Sequence, residues 1–216
     1  MGFDKLTADL CGESVLARSL RAFECCTDVR FIVLVAHPLR VEEFRAPGAP
    51  FSKLARVVAG GDERPDSVHA GLAALEGLPG VSCGDFVGLH DAARPLVAPA
   101  TISEVFREAV KYGAAAPAER VADTLHRSSD DGDVIETVPR TNLWRVQTPQ
   151  IFRLGELLDM PPDPSRTDEI SAYAKAGGRA RMVANPLPNF KITIPADLAL
   201  ARALLSAGPR PPGPAD

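Results

Sequence analysis

The stretch His90-Asp91-Ala92-Ala93-Arg94-Pro95 sets a carboxylate and a guanidinium three positions apart, directly after the apolar run Phe86-Val87-Gly88-Leu89. A carboxylate so placed can hold a metal or a sugar hydroxyl, and the arginine can fork onto a phosphate. The competing reading is an Asp–Arg pair that pins a tight turn. A second stretch, Gly60-Gly61-Asp62-Glu63-Arg64-Pro65-Asp66-Ser67, has glycines that admit close backbone approach and a helix start whose amides favour an anion or a base edge. Such Gly-Gly turns also simply end strands. Lys5 and Lys191 add cations. Transfer of a phosphorus centre concentrates negative charge, so cations set in advance supply much of its catalysis; taken singly, either lysine reads as a solvated surface charge. Thr124, Arg140, Thr148 and Thr167 are polar groups near turns. His37, His69, His90 and His126 form no metal spacing and no Ser-His-Asp arrangement, and His90 reads as packed under its turn rather than as a base.

These groups must be carried by elements that the apolar pattern makes legible. Phe31–Ala36 is a continuous β-branched run, as expected for a strand covered on both faces. Before it, Val15, Leu16, Leu20 and Phe23 fall at helical spacing behind Ser14, a suitable N-cap. Arg56–Ala59 is a short strand ending at Gly60-Gly61, and a helix opening at Pro65 carries Val68, Leu72 and Leu75 on one face. The unit repeats with a strand over Phe86–His90 and a helix from about Ala100 to Tyr112. Strand, loop and helix at this interval predict βαβ units and a mainly parallel sheet, whose ligands bind outside the carboxyl ends of the strands. Thr124–Arg127 and Val134–Val138 flank a polar Asp131-Gly132 turn, a hairpin too poor in apolar residues to join the main core. Isolated hairpins are marginal in water, so this one is expected to lie on its own domain or on a second copy of the chain. Gln147–Gln150 reads as a loop, Thr167–Ala176 as a helix and Phe190–Ile194 as an alternating strand with Lys191 and Thr193 on one face. A helix from Ala196 to Ser206 comes last. The resulting organisation is one domain over residues 1–206 with an arm at about 123–140, followed by a Pro/Gly tail over 207–216.

Composition excludes several classes. The 216 residues are 45 % apolar and 24 % charged, average for a packed globular chain. No apolar run reaches the roughly 18 residues of a membrane helix. A net charge of −4 argues against wholesale binding to nucleic acid or anionic membrane, and 6 % aromatics offer little base-stacking surface. The four cysteines, Cys11, Cys25, Cys26 and Cys83, show no zinc spacing and read as reduced thiols of a cytoplasmic protein.

Order supplies the frame that single motifs lack. The glycine stretch is followed by His90–Pro95, by Asp123-Thr124, by Leu143-Trp144 with Gln147-Thr148-Pro149-Gln150, by Thr167-Asp168-Glu169 and by Asn189–Thr193 with Pro195-Ala196-Asp197-Leu198. From Lys5 to about Leu205 this order resembles the 2-C-methyl-D-erythritol 4-phosphate cytidylyltransferase family, the IspD family. The resemblance implies a Rossmann-like α/β nucleotidyltransferase with a protruding hairpin arm that uses CTP and Mg²⁺ and releases pyrophosphate. It further implies that Gly61, Asp62 and Ser67 contact the cytosine and that Ala92 lies by the ribose. Asp91 would meet a substrate hydroxyl or the metal side, with Arg94 beside it on the substrate. Lys5 would stabilise the transition state, and Arg140 and Lys191 would orient the attacking phosphate. Thr124, Thr148 and Thr167 would complete that pocket. The family's arm embraces a second subunit, which implies a homodimer in which Thr124 and Arg140 serve the neighbour's site. The resemblance leaves the metal ligands open.

Two departures bear on activity. The family opens with a strand and a Pro-Ala-Ala-Gly-x-Gly-x-Arg-Met loop around the triphosphate, whereas this sequence starts at Met1-Gly2, which matches the end of that loop. The expectation is a slot inside the sheet with unpaired edges and weak turnover, either because the start lies upstream or because the chain is a non-catalytic dimeric remnant. The proline-rich Met160–Ser165 link also replaces a longer approach to Thr167. A cytidylyltransferase for another polyol phosphate, such as ribitol 5-phosphate, would look alike in its nucleotide half.

Overall fold

The computed structural model describes residues 4–45, 51–160 and 168–208. Thr167, the Pro161–Ser165 part of the proline-rich link and residues 209–216 of the expected tail lie outside them. In chain order the elements are α1 (Val15–Glu24), β1 (Ile32–Ala36), a 3₁₀ turn (Pro38–Arg40), α2 (Val41–Phe44), β2 (Leu54–Ala59), α3 (Arg64–Glu76), β3 (Phe86–Leu89), α4 (Pro99–Tyr112), β4 (Ala114–Arg120), β5 (Leu125–Ser128), β6 (Val134–Val138), β7 (Trp144–Val146), β8 (Gln150–Arg153), α5 (Leu154–Leu158), α6 (Glu169–Lys175), β9 (Ala180–Ala184) and α7 (Pro195–Ser206).

Local chemistry starts the helices where the pattern places them. Ser14 Oγ accepts from the Ala17 amide at 3.1 Å and caps α1. Prolines stand in the first turns of α3, α4 and α7, where a missing N–H costs nothing. Leu72, with Val68 and Leu75 beside it, seals α3 onto a core built from Val87, Ala114, Ala116, Phe152, Leu154 and Tyr173. Ile102, Val105 and Ala109 do the same for α4.

The sheet is mixed. Strands β1 and β2 pair in parallel, as do β4 and β9. Strand β8 runs antiparallel between β3 and β4, so β3 and β4 share one direction, and β7 adds an antiparallel edge on β4. The parallel strands expected from the βαβ pattern are present, and β7 and β8 run against them on either side of the Gln147–Pro149 loop.

Strands β1–β2 and the five-stranded group β3-β8-β4-β7 with β9 form separate sheets. Among the described residues nothing pairs with the edges of β1 and β3 that face each other. Between them lies a cavity of about 600 Å³, lined by Val33 and Val35 on one side, Phe86 and Gly88 on the other, and Leu20 and Val68 from the helices. The slot expected inside the sheet is present as this cavity. It corrects the reading of β1 as covered on both faces: Ile32–Val35 are only part-buried.

The alternating strand over Phe190–Ile194 does not form. Its donors are taken elsewhere: Asp197 accepts from the Thr193 and Ile194 amides at 2.7 and 2.9 Å to cap α7. A single ladder-like bond remains, Ile192 N–H to the Ala93 carbonyl at 2.8 Å, and Ile194 is left exposed. The arm, by contrast, is a two-stranded sheet of β5 and β6 that stands apart from the core, with Val134 and Ile135 exposed.

Candidate active site

The Ile192–Ala93 bond is what assembles the site. It lays the Asn189–Thr193 segment along the loop after β3, so that Lys191 Nζ comes 3.1 Å from Asp91 Oδ2. Arg94 Nε approaches the same oxygen at 3.4 Å, and its Nη1 donates to the Asn189 carbonyl at 2.8 Å. Burial pushes the Asp91 carboxyl up, but Lys191, then Arg94 and Arg64, outweigh it and hold it below the usual carboxylate range. One carboxylate held between Lys191 and Arg94, with Arg64 acting from further off, leaves an excess of positive charge suited to phosphate groups.

The floor of the cluster is a polar network. Thr148 Oγ1 accepts from the Asp91 amide at 3.1 Å and bonds His90 Nδ1 at 3.0 Å, while His90 Nε2 meets the Arg94 carbonyl at 3.3 Å. Burial pulls the His90 ring down to about 4, so it is neutral at pH 7 and serves as a strut under the turn, as the sequence suggests. The Thr148-Pro149 bond is cis. Asn189 Nδ2 donates to the Gln147 side chain at 3.1 Å and the Thr148 carbonyl at 2.9 Å, and Asn185 donates to the same Gln147 oxygen at 3.0 Å. Sequence reading assigned no role to Gln147, Asn185 or Asn189. The available signal was three amide side chains flanking Thr148 and Lys191.

Of the residues expected on the nucleotide side, Ser67 and Ala92 lie together. Gly60 N–H donates to the Ala36 carbonyl at 2.8 Å, which ties the glycine loop to the end of β1. Ser67, His90, Asp91 and Ala92 all line the 600 Å³ cavity. A Cβ on Gly61 would stand 2.3 Å from Asp66 Cβ, whose carboxylate accepts from the Glu63 amide at 3.2 Å. Gly61→Ala must therefore displace the loop. On the expectation that Gly61 meets the cytosine, this change should weaken CTP binding about tenfold, a loss of roughly 1.4 kcal/mol readable by calorimetric titration.

Other expected residues stay apart within one chain. Lys5 lies in the N-terminal segment beside Asp4, whose carboxylate pairs with Arg40 at 3.1 Å just past the end of β1. Lys5 makes no polar contact to Asp91 among the described residues. Asp62 is exposed at the tip of the glycine loop. Thr124 and Arg140 are exposed at the base of the arm, Arg140 donating to the Ala122 carbonyl, and neither bonds Asp91, Arg94 or Lys191. Among the described residues no three His, Cys, Asp or Glu side chains gather to hold a metal. Mg²⁺ commonly keeps its waters and takes one or two carboxylates plus substrate phosphates. Asp91 is the carboxylate of this cluster that fits such a role.

The family model described as IspD, 2-C-methyl-D-erythritol 4-phosphate cytidylyltransferase, matches residues 1–207. The chain belongs to this family. It is 42 % identical to the 2-C-methyl-D-erythritol 4-phosphate cytidylyltransferase of Ralstonia nicotianae over 91 % of this chain and 82 % of that one. The enzyme of the same name from Pelotomaculum thermopropionicum is 37 % identical over 92 % of this chain and 84 % of its own. A crystal structure of 4-diphosphocytidyl-2C-methyl-D-erythritol synthase superposes with a TM-score of 0.83 at 30 % identity, covering 94 % of each chain. These cytidylyltransferase relatives share the Rossmann-like α/β fold, so the βαβ pattern and the family resemblance lead to the same architecture.

Proposed function

We propose that this chain transfers CMP from CTP to 2-C-methyl-D-erythritol 4-phosphate, a step in isoprenoid precursor synthesis. An oxygen of the sugar phosphate forms the new bond to the α-phosphorus, and the bond from that phosphorus to the bridging oxygen of the β-phosphate breaks, releasing pyrophosphate. The observation that carries this reading is the Lys191–Asp91–Arg94 cluster beside Ser67 and Ala92 at the carboxyl ends of the strands. Family membership supports it, and the relatives' names favour methylerythritol phosphate over ribitol 5-phosphate.

In this reading Gly61, Asp62 and Ser67 take the cytosine and Ala92 borders the ribose. Lys5 neutralises charge developing on the triphosphate, Lys191 and Arg140 orient the attacking phosphate, and Thr148 and Thr167 hold the polyol. Asp91 and Arg94 stand where the hydroxyls and phosphate meet. Mg²⁺ travels with CTP and offsets phosphate charge, with Asp91 as its contact on this chain. CTP belongs to the cytoplasm, and the reading places the chain there with it. The direct test is pyrophosphate release from CTP, Mg²⁺ and methylerythritol phosphate, with ribitol 5-phosphate as competitor. Release with ribitol phosphate alone would overturn the substrate.

Thr124 and Arg140 act across a homodimer. The exposed Val134 and Ile135 on an arm that makes its own small sheet support this arrangement. Subunit mixing tests it: Arg140→Ala and Lys191→Met are each inactive, but their mixture regains about a quarter of wild-type turnover, because half the dimers are mixed and one of their two sites is intact. No recovery, with dimers confirmed by light scattering, would place Arg140 in its own subunit's site.

A further inference from the structure

The Glu169 carboxylate is fully buried, at 0 % exposure. Its Oε1 is ion-paired to Arg64 Nη1, from 105 residues away in the sequence. Arg64 is the first residue of α3, directly behind Gly60–Glu63, and its side chain is 40 % exposed and lines the cavity with Ser67 and Asp91. On the other side, the amides of Glu169 and Ile170 donate to Gln150 Oε1 at 3.2 and 3.3 Å. Gln150 follows Thr148-Pro149 and opens β8. Three segments therefore meet at one residue: α3, behind the glycine loop, at the Glu169 carboxylate, and the Gln150 side chain, behind the Thr148 turn, at the amides that start α6.

A buried carboxylate is an expensive way to hold segments together. Its desolvation offsets much of the pair's attraction, and apolar residues of similar volume commonly do as well. Glu169 Oε2 adds to that cost, since it has no hydrogen-bond partner among the described residues. What such a pair supplies and an apolar contact does not is direction. A guanidinium held at Nη1 by a buried carboxylate is tied to one place, and through it the start of α3 and the loop before it.

We infer that Glu169 is a positioning residue which, through Arg64, couples the nucleotide loop to the polyol-phosphate side of the site, so that each ligand tightens the other. The inference rests on the functional reading above and goes beyond it in assigning the link between the two pockets. Coupling between binding sites is reciprocal, and a factor of about 5–150 is typical.

The test is calorimetric titration of a CTP analogue with a methylene bridge between its α- and β-phosphorus, in Mg²⁺, in the presence and absence of saturating methylerythritol phosphate, followed by the reverse titration. Wild-type protein is expected to show the same tightening, about fivefold or more, in both directions. Glu169→Gln, which keeps the volume, should reduce that factor to within twofold of unity. Arg64→Gln, at a part-exposed position that tolerates change, should do the same, and so keeps the test decisive if the buried variant does not fold. The double variant should be no worse than either single one, and Arg64→Lys should retain part of the coupling. Coupling that survives Arg64→Gln, or wild-type protein that binds both ligands independently, overturns the inference while leaving the functional reading intact. Wild-type protein that binds neither ligand overturns the functional reading and the inference together.

Discussion

Replacing Lys191 by methionine is expected to lower turnover by about 10²–10³-fold, roughly 3–4 kcal/mol of transition-state stabilisation, the usual cost of removing a preset charge from a reacting oxyanion. The ammonium sits 3.1 Å from Asp91 and the side chain is 44 % exposed, so its removal need not disturb the fold. Methionine keeps the length of the side chain and isolates the charge. A second signature follows from Asp91. With Lys191 gone, the upward push of burial on its carboxyl is opposed by Arg94 and Arg64 alone, and the carboxyl moves up. The acid limb of kcat/KM should therefore shift to higher pH in Lys191→Met and return toward its original position in Lys191→Arg. A methionine variant within threefold of wild type, with an unmoved acid limb, would remove Lys191 from the reaction.

Stability is expected to fall by up to about 3 kcal/mol as pH drops from 6.5 to 4, because His90 titrates near 4 in the folded chain against 6.5 when unfolded. In that window the unfolded state binds the extra proton, so stability rises with pH and the loss appears on acidification. The cause is burial of a ring whose nitrogens meet Thr148 and the Arg94 carbonyl. Denaturant titrations at pH 4.5 and 7.5 would measure it. His90→Gln should flatten the slope across that window, and a slope unchanged in the variant would assign it to other groups. Asp91 contributes separately and lower. Its carboxyl lies below the usual range, so its stabilisation is present above about 3.9 and disappears as pH falls through the folded-state value.

Local signals explain which elements were legible. Ser14, Pro65, Pro99 and Pro195 stand where helix starts need a cap or a proline, and apolar faces at helical spacing follow each of them. Strands β1 and β3 announce themselves by β-branched and aromatic runs, and the arm by its Asp131-Gly132 turn. Strands β4 and β9 give no such signal. Ala114–Arg120 and Ala180–Ala184 are largely small residues whose place in the sheet comes from pairing with each other, more than sixty positions apart. Trp144–Val146 and Gln150–Arg153 are too short for a period to show. The Phe190–Ile194 alternation misled for an equally local reason: Asp197 competes for the amides a ladder would use.

The sequence by itself pointed to the family. The order of its motifs carried a resemblance that implied one site for Asp91, Arg94, Thr148 and Lys191 and a slot in the sheet, because motif order is written along the chain. The tertiary structure alone decided how those parts meet. Asp91 is held between Lys191 and Arg94 because a single backbone bond, from Ile192 to Ala93, joins two segments nearly a hundred residues apart. Glu169 finds Arg64 across a similar distance. Partners this remote leave no periodic trace in the sequence, since their contact is set by the packing of whole elements rather than by the residues between them.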